Sequence, residues 1–591
     1  MGALPTATTS DTALNARLLA CLPPRDTFEL RARIVDYEIV EMAVLLRTKE
    51  LTSELITRAY LDRIARFNGV FETYDENGGY NAFVRIDAQQ AIEQARLADS
   101  WLSDPADPRG AAPPLCGIPM GVKDSIAIEG RQSKNGTHSL TGNLGLKDAT
   151  CVAKLRAQGA VLVGHNTCSA WSGDINGTFA GNAWDPARVC GGSSQGSGVA
   201  PVARLIAASL GEETGGSLIF PLAANGASGI KPSLGLVSVA GLMPLRNGID
   251  VIGPAARSIR DASLVLSIIS GIDQLNDPQT LAAPIPSPDL PIKASNAQSP
   301  LAGLTVGVPQ TDWMTPITTE PPAQNYDADY RKAFERFKEE LRLLGARVID
   351  FPGLDLSQEL NSPFLYPTLI GEVPSSNGML EPIIPITAVV HSNAVETNHW
   401  QAVQTFANTR PDDIRDDILR NYQLFDGLAA GGITVTMRTD GERRRHQEQI
   451  LMQQSLDEAG VDFMLVMPLG SHVGMRFDGG ETGLGAHRLH YEVPNAHGWP
   501  MLSFPIGYGN SSVELPLPIN AAFWGPRFSE AMIIQAAIDY QKHFPEHHNA
   551  APPDPVFGPG TKRPDHIPRV RPVTPDTSTD PVLKIKARSW H

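Results

Sequence analysis

Cysteine is scarce in this chain, with five in 591 residues (Cys21, Cys116, Cys151, Cys168 and Cys190), an odd number with no Cys-x-x-Cys spacing. That disfavours a fully paired disulfide framework and makes the cell interior the simpler location. Cations are also in the minority. There are 49 Lys and Arg against 64 Asp and Glu, a net charge of −15, and a surface of that sign repels phosphates, which argues against a nucleic-acid partner. No apolar run is long enough for a transmembrane helix, and residues 1–15, rich in Ala, Thr and Ser, lack the basic start of a secretory signal. No membrane role is expected, and the cytoplasm is the expected compartment. Asn135-Gly136-Thr137 and Asn176-Gly177-Thr178 fit the glycosylation rule, but each lies beside a segment argued below to be reactive, where a sugar would crowd it.

Linkers and repeats are missing too. The length exceeds the usual domain of about 100–200 residues, yet no Gly/Ser linker, charge block or internal repeat divides the middle. One large α/β unit is expected over residues 36–545, with an N-terminal extension, 1–35, and a proline-rich tail, 546–591. The tail is basic over 562–591 and is expected to lie on the acidic body or on a neighbouring protomer, which allows a homodimer. Apolar residues make up 42% of the chain, enough for a sizeable core.

Periodicity places the main elements. Residues 34–67 read as two helices broken at 47–51, the second capped by Thr52 or Ser53, with Leu55, Ile56, Ala59, Tyr60 and Ile64 as its core-facing stripe. Strands are expected at 81–84, 160–164, 301–309, 346–350 and 463–468, and helices at 88–101, 149–157, 327–344, 412–422 and 529–544. A variable region, about 310–500, is expected to cap a cleft and choose substrates.

Two glycine-serine loops dominate what is present. Gly191-Gly192-Ser193-Ser194-Gln195-Gly196-Ser197-Gly198 and Gly211-Glu212-Glu213-Thr214-Gly215-Gly216-Ser217 flank an apolar segment, 199–210, that reads as a short buried helix followed by a strand. Such loops let backbone N–H groups approach a ligand closely. Neither fits Gly-x-x-x-x-Gly-Lys-Ser/Thr or a strand-linked Gly-x-Gly-x-x-Gly, so phosphate binding is the weaker reading of each. Lys123 stands in an apolar strand-like run, Gly117-Ile118-Pro119-Met120-Gly121-Val122-Lys123-Asp124-Ser125, where a cation is out of place.

Together these segments resemble the amidase signature family. The resemblance continues through Gly229-Ile230-Lys231-Pro232, Ile252-Gly253-Pro254 and Arg257-Ser258-Ile259-Arg260-Asp261, and covers about residues 36–545. It implies a large mixed, mainly parallel β-sheet sandwiched by helices. It also implies a Ser–Ser–Lys triad: Lys123 as base, Ser193 as bridging serine after a cis peptide from Gly192, and Ser217 as nucleophile. The N–H groups of Thr214, Gly215, Gly216 and Ser217 would form an oxyanion hole, and Trp171, Gly192 and Ser194 would meet the substrate. A serine hydroxyl needs a neighbouring base to become a nucleophile, and lysine serves only when neutral, a form that burial favours.

The implied activity is hydrolysis of a carboxylic amide to acid plus ammonia or amine through an acyl-enzyme, on a small-molecule amide and with no cofactor. The common family pattern Thr-Asp-x-Gly-Gly-Ser-Ile-Arg is broken here by Glu213 and Ile219, which brings the chain nearer to the branch with bacterial peptide amidases. The alternatives are the glutaminase component of a tRNA amidotransferase and a non-catalytic binding protein on the same fold. The missing arginine and the extra tail tell against the first. The presence of all three triad residues tells against the second. His165 is expected to be structural or pocket-lining, and His487, His490, Glu492 and His497 match no metal-ligand spacing, so no metal is expected.

Overall fold

Eleven strands form a single sheet in the computed structural model. It describes residues 9–71, 79–136, 143–169, 172, 179–243, 245, 248–310, 326–354, 435–476, 489–509 and 516–555, without the side chains of 9–11, 435–442 and 489–492. The strands are β1 Phe83–Ile86, β2 Pro119–Lys123, β3 Val161–Asn166, β4 Ala208–Glu213, β5 Ser228–Lys231, β6 Val251–Ala256, β7 Thr305–Pro309, β8 Arg347–Phe351, β9 Phe463–Val466, β10 Met501–Gly509 and β11 Leu517–Trp524. Their order is β1-β3-β2-β4-β6-β5-β10-β11-β9-β7-β8. Every residue of β2 to β6 is buried, as a sheet covered on both faces requires.

The helices are α1 Thr9–Ala20, α2 Ile39–Arg47, α3 Ser53–Phe67, α4 Ala88–Ser103, α5 Thr150–Ala157, α6 Gln195–Val202, α7 Ile219–Asn225, α8 Ile259–Ile269, α9 Ala328–Leu343, α10 Val435–Ala459, α11 Leu489–Ala496 and α12 Glu530–His543. Local chemistry sets several of their ends. The Thr52 hydroxyl accepts from Leu55 N–H at 3.2 Å and starts α3, a cap worth about 1 kcal/mol. Ile56, Tyr60 and Ile64 of α3 are fully buried, whereas Leu55, expected in the same stripe, is 46% exposed.

Two expectations are refined. The sheet is mixed, but parallel pairing is confined to two blocks, β3-β2-β4 and β9-β7-β8; the six other neighbouring pairs run antiparallel. The termini also pack onto the body within the described residues. Leu18 is buried in the main core, the Gln158 amide donates to Asn15 Oδ1 at 2.9 Å, and near the other end Asp554 pairs with Arg63 at 2.7 Å. The helix expected at 412–422, most of the variable region, Trp171 and His487 lie outside the described residues.

Candidate active site

The parallel register of β2 with β4 sets Gly121 beside Ser209 and Val122 beside Leu210, so Lys123 at the end of β2 arrives next to the carboxylates that end β4. A Cβ at Gly121 would stand 2.4 Å from Asn166 Oδ1, so a side chain there would force Asn166 to move. Lys123 is fully buried, with Nζ 2.7 Å from Ser193 Oγ and 2.9 Å from Glu212 Oε2. The same Glu212 oxygen accepts from the Ser125 hydroxyl at 2.7 Å and the Ser172 hydroxyl at 3.0 Å. Sequence reasoning missed Glu212. Its signal was the demand that a buried lysine have a buried anion, because an unpaired charge in the interior is costly.

Ser193 follows a cis peptide from Gly192 and opens α6 two residues later. The next residue, Ser194, donates from its hydroxyl to Glu212 O at 2.8 Å and accepts from Glu212 N–H at 3.1 Å. That fully buried hydroxyl anchors the loop to β4, in place of the substrate contact expected of it. Ser194 N–H also donates to Ser217 O at 2.8 Å, which ties the two glycine-serine loops together. Ser217 is 5% exposed, and its hydroxyl makes no hydrogen bond to Ser193 among the described residues.

Glu213 shapes the turn that carries Ser217. Its carboxylate accepts from the N–H groups of Gly216, of Leu218 at 2.6 Å and of Ile219 at 2.8 Å, and from the Asn495 amide at 2.6 Å. Burial pushes this carboxyl up, and the same donors hold it back. The Gly216 N–H is thereby taken, which removes it from the expected oxyanion set; Thr214, Gly215 and Ser217 keep N–H groups without a partner among the described residues. Gly216 sits at φ +106°, which a side chain would strain, so this turn needs glycine for its backbone. Thr214 Oγ1 donates to Asp250 Oδ1 at 2.5 Å.

Other candidates fall elsewhere. His165 pairs in register with Val122, on the face opposite Lys123, and its Nε2 lies 3.1 Å from Ile126 O; burial pushes it well below its usual range, so it is uncharged. Asp124 pairs with Arg85 rather than with Lys123. His497 is buried with Nε2 2.7 Å from Glu448 and Nδ1 2.9 Å from Val493 O. Among the described residues no helix is long and apolar enough to cross a membrane.

A family model described as Amidase matches residues 56–534. The chain is 27% identical over 524 residues to a component of the glutamyl-tRNA(Gln) amidotransferase of Maridesulfovibrio salexigens, covering 87% of this chain and 98% of that protein. In fold it resembles the native peptide amidase of Stenotrophomonas maltophilia, with a TM-score of 0.68 at 23% identity over 88% of this chain and 99% of that one. It also resembles the corresponding amidotransferase component of Thermotoga maritima, with a TM-score of 0.60 at 20% identity over 90% and 100%.

Proposed function

Because the chain belongs to the amidase family and is an amide-cleaving hydrolase, we propose that it works through Ser217 as nucleophile, Ser193 as relay and Lys123 as base. The observation that carries this reading is the buried 2.7 Å approach of Lys123 Nζ to Ser193 Oγ, one residue from the backbone bond that joins Ser194 to Ser217.

Ser217 Oγ attacks the amide carbonyl carbon while its proton passes to Ser193 Oγ and the Ser193 proton passes to neutral Lys123 Nζ. The relay requires the Ser217 hydroxyl to come within hydrogen-bond distance of Ser193 Oγ. The negative oxygen of the tetrahedral intermediate is met by N–H groups of the turn, those of Gly215 and Ser217 being free to donate; one such donor is worth roughly 3–4 kcal/mol. The proton then returns through Ser193 to the leaving nitrogen, the C–N bond breaks, and an acyl ester remains on Ser217. Water attacks the ester by the same route, which releases the acid and restores the serine.

A small-molecule amide is the substrate in this reading, and the cytoplasm its compartment. A second reading, glutamine hydrolysis within a tRNA amidotransferase, is favoured by the likeness to amidotransferase components. A panel of primary, aryl and peptide amides alongside free glutamine separates the two, with ammonia or amine as readout. Ser217→Ala should abolish turnover on the preferred substrate while the fold persists. Near-wild-type release by that variant would overturn the proposal.

A further inference from the structure

Glu212 has no place in the serine–lysine chemistry, yet its carboxylate meets the base directly and holds two further hydroxyls besides. Oε2 gathers Lys123 Nζ at 2.9 Å, Ser125 Oγ at 2.7 Å and Ser172 Oγ at 3.0 Å. Its main chain is gripped on both sides by the Ser194 hydroxyl. Oε1, by contrast, has no partner among the described residues. Lys123 and Glu212 have no solvent-exposed surface, and Ser125 and Ser172 have almost none. Ser172 has one hydroxyl proton and two acceptors facing it, Glu212 Oε2 and Asn135 Oδ1 at 2.9 Å; the anion is the stronger acceptor.

A four-carbon lysine stem has many rotamers, and burial alone does not choose among them. A fixed carboxylate does, because leaving an ammonium or a carboxylate unpaired in the interior costs more than any rotamer preference. Glu212 is itself fixed through Ser194, the neighbour of Ser193. Base, relay and anion thus share one frame.

We propose that Glu212 is a positioning residue for the reaction: with its main chain tied to the Ser193 loop through Ser194, its carboxylate holds Lys123 Nζ against Ser193 Oγ. This rests on the reading of Lys123 as the base.

The test is steady-state kinetics of Glu212→Gln on the substrate found for the wild type. The amide keeps the shape but loses the ionic hold on Lys123, so kcat should fall on the order of 10-fold to 100-fold through loss of orientation while KM stays nearly unchanged. Glu212→Asp, which keeps the carboxylate but withdraws it by one methylene, should recover part of that loss. An unchanged kcat in a folded Glu212→Gln enzyme overturns the proposal. Should that variant not fold, Ser194→Ala takes its place: it frees the Glu212 main chain from the Ser193 loop, so kcat should fall with KM nearly unchanged, and an unchanged kcat overturns the proposal equally. Ser217→Ala, run beside them, tests the underlying reading by itself. Activity without Ser217 would defeat that reading, whereas a dead Ser217→Ala with a fully active Glu212→Gln would defeat only the role of Glu212.

Discussion

The side-chain amide of Asn495, on α11, donates to Glu213 Oε1 at 2.6 Å across 282 residues of sequence. The turn that presents Ser217 is therefore held from two directions: by its own N–H groups folded back on Glu213, and by a helix from the second half of the chain. Lys231 lies in the same region, buried, with Nζ 3.0 Å from Pro494 O. Burial pushes this lysine down to about 7, against the pull of Glu213 and Glu530.

Removing the outer hold should loosen the turn without dismantling it. Asn495→Ala leaves Glu213 with its three backbone donors and subtracts one buried hydrogen bond to a charged group, a loss of roughly 1.5–3 kcal/mol in stability. We expect kcat to fall on the order of 10-fold with KM nearly unchanged, because the turn contributes to the transition state more than to ground-state binding. Glu213→Ala should be far worse, since it strands three buried N–H groups. Thermal unfolding and steady-state kinetics on the two variants check the ranking, and equal effects would sink it.

Much of this arrangement could be read in the residues. The long periodic segments gave α3 and α9 nearly to the residue, because an amphipathic stripe with a Thr52 cap or a charged outer face has few other homes. The segment 199–210 split into helix and strand as its apolar run suggested. What could not be read depended on register. Glu212 and Glu213 are chemically identical neighbours, and only the alternation of β4 beside β2 decides that one faces Lys123 and the other the Ser217 turn. The same holds for Gly216, whose N–H looks as free as its neighbours' until the Glu213 carboxylate is seen folded back on it. Leu55 misled because helical spacing alone does not say where the stripe ends. The antiparallel middle of the sheet follows from how β5, β6, β10 and β11 meet, which strand-like composition does not encode.

A pH effect on stability should come from His548. Burial, with Arg260 and His547 adding to it against the pull of Glu38, pushes this imidazole down from 6.5 to about 4. It lines a cavity of about 240 Å³ together with Arg31, Asp36, Glu38, Arg204 and Arg257, where another cation is unwelcome. Between about pH 4 and 6.5 the unfolded chain therefore binds a proton that the folded one refuses, so this group makes stability rise with pH over that window and leaves it flat above. His548→Gln should flatten that part of a plot of Tm against pH. A variant whose slope matches the wild type would show that His548 is protonated in the fold.

Chelation gives a short test of the histidines near α11. A serine nucleophile with a lysine base generates its own reactivity, so prolonged treatment with a chelator should leave turnover unchanged. A loss that added zinc restores would redirect attention to His487 and His490, while His497, held between Glu448 and Val493 O, would stay structural.

The sharpest test separates Lys123 as a base from Lys123 as a buried cation. Lys123→Ala alone does not decide, because it leaves the Glu212 carboxylate buried and unpaired, a defect of about 3–5 kcal/mol that lowers activity by lowering the folded fraction. Lys123→Arg keeps a cation for Glu212 and for the Ser125 and Ser172 network, so the fold should persist; yet guanidinium stays charged at any workable pH and accepts no proton from Ser193. We therefore expect Lys123→Arg to melt near the wild type and to lose several orders of magnitude in kcat/KM, with no recovery at alkaline pH. Ser193→Ala should lose less, since a water molecule in the vacated space replaces part of a relay but not a base. Substantial activity in Lys123→Arg would remove lysine from the chemistry, and it would leave His165 a poor successor, because that imidazole faces Ile126 O on the other side of the sheet.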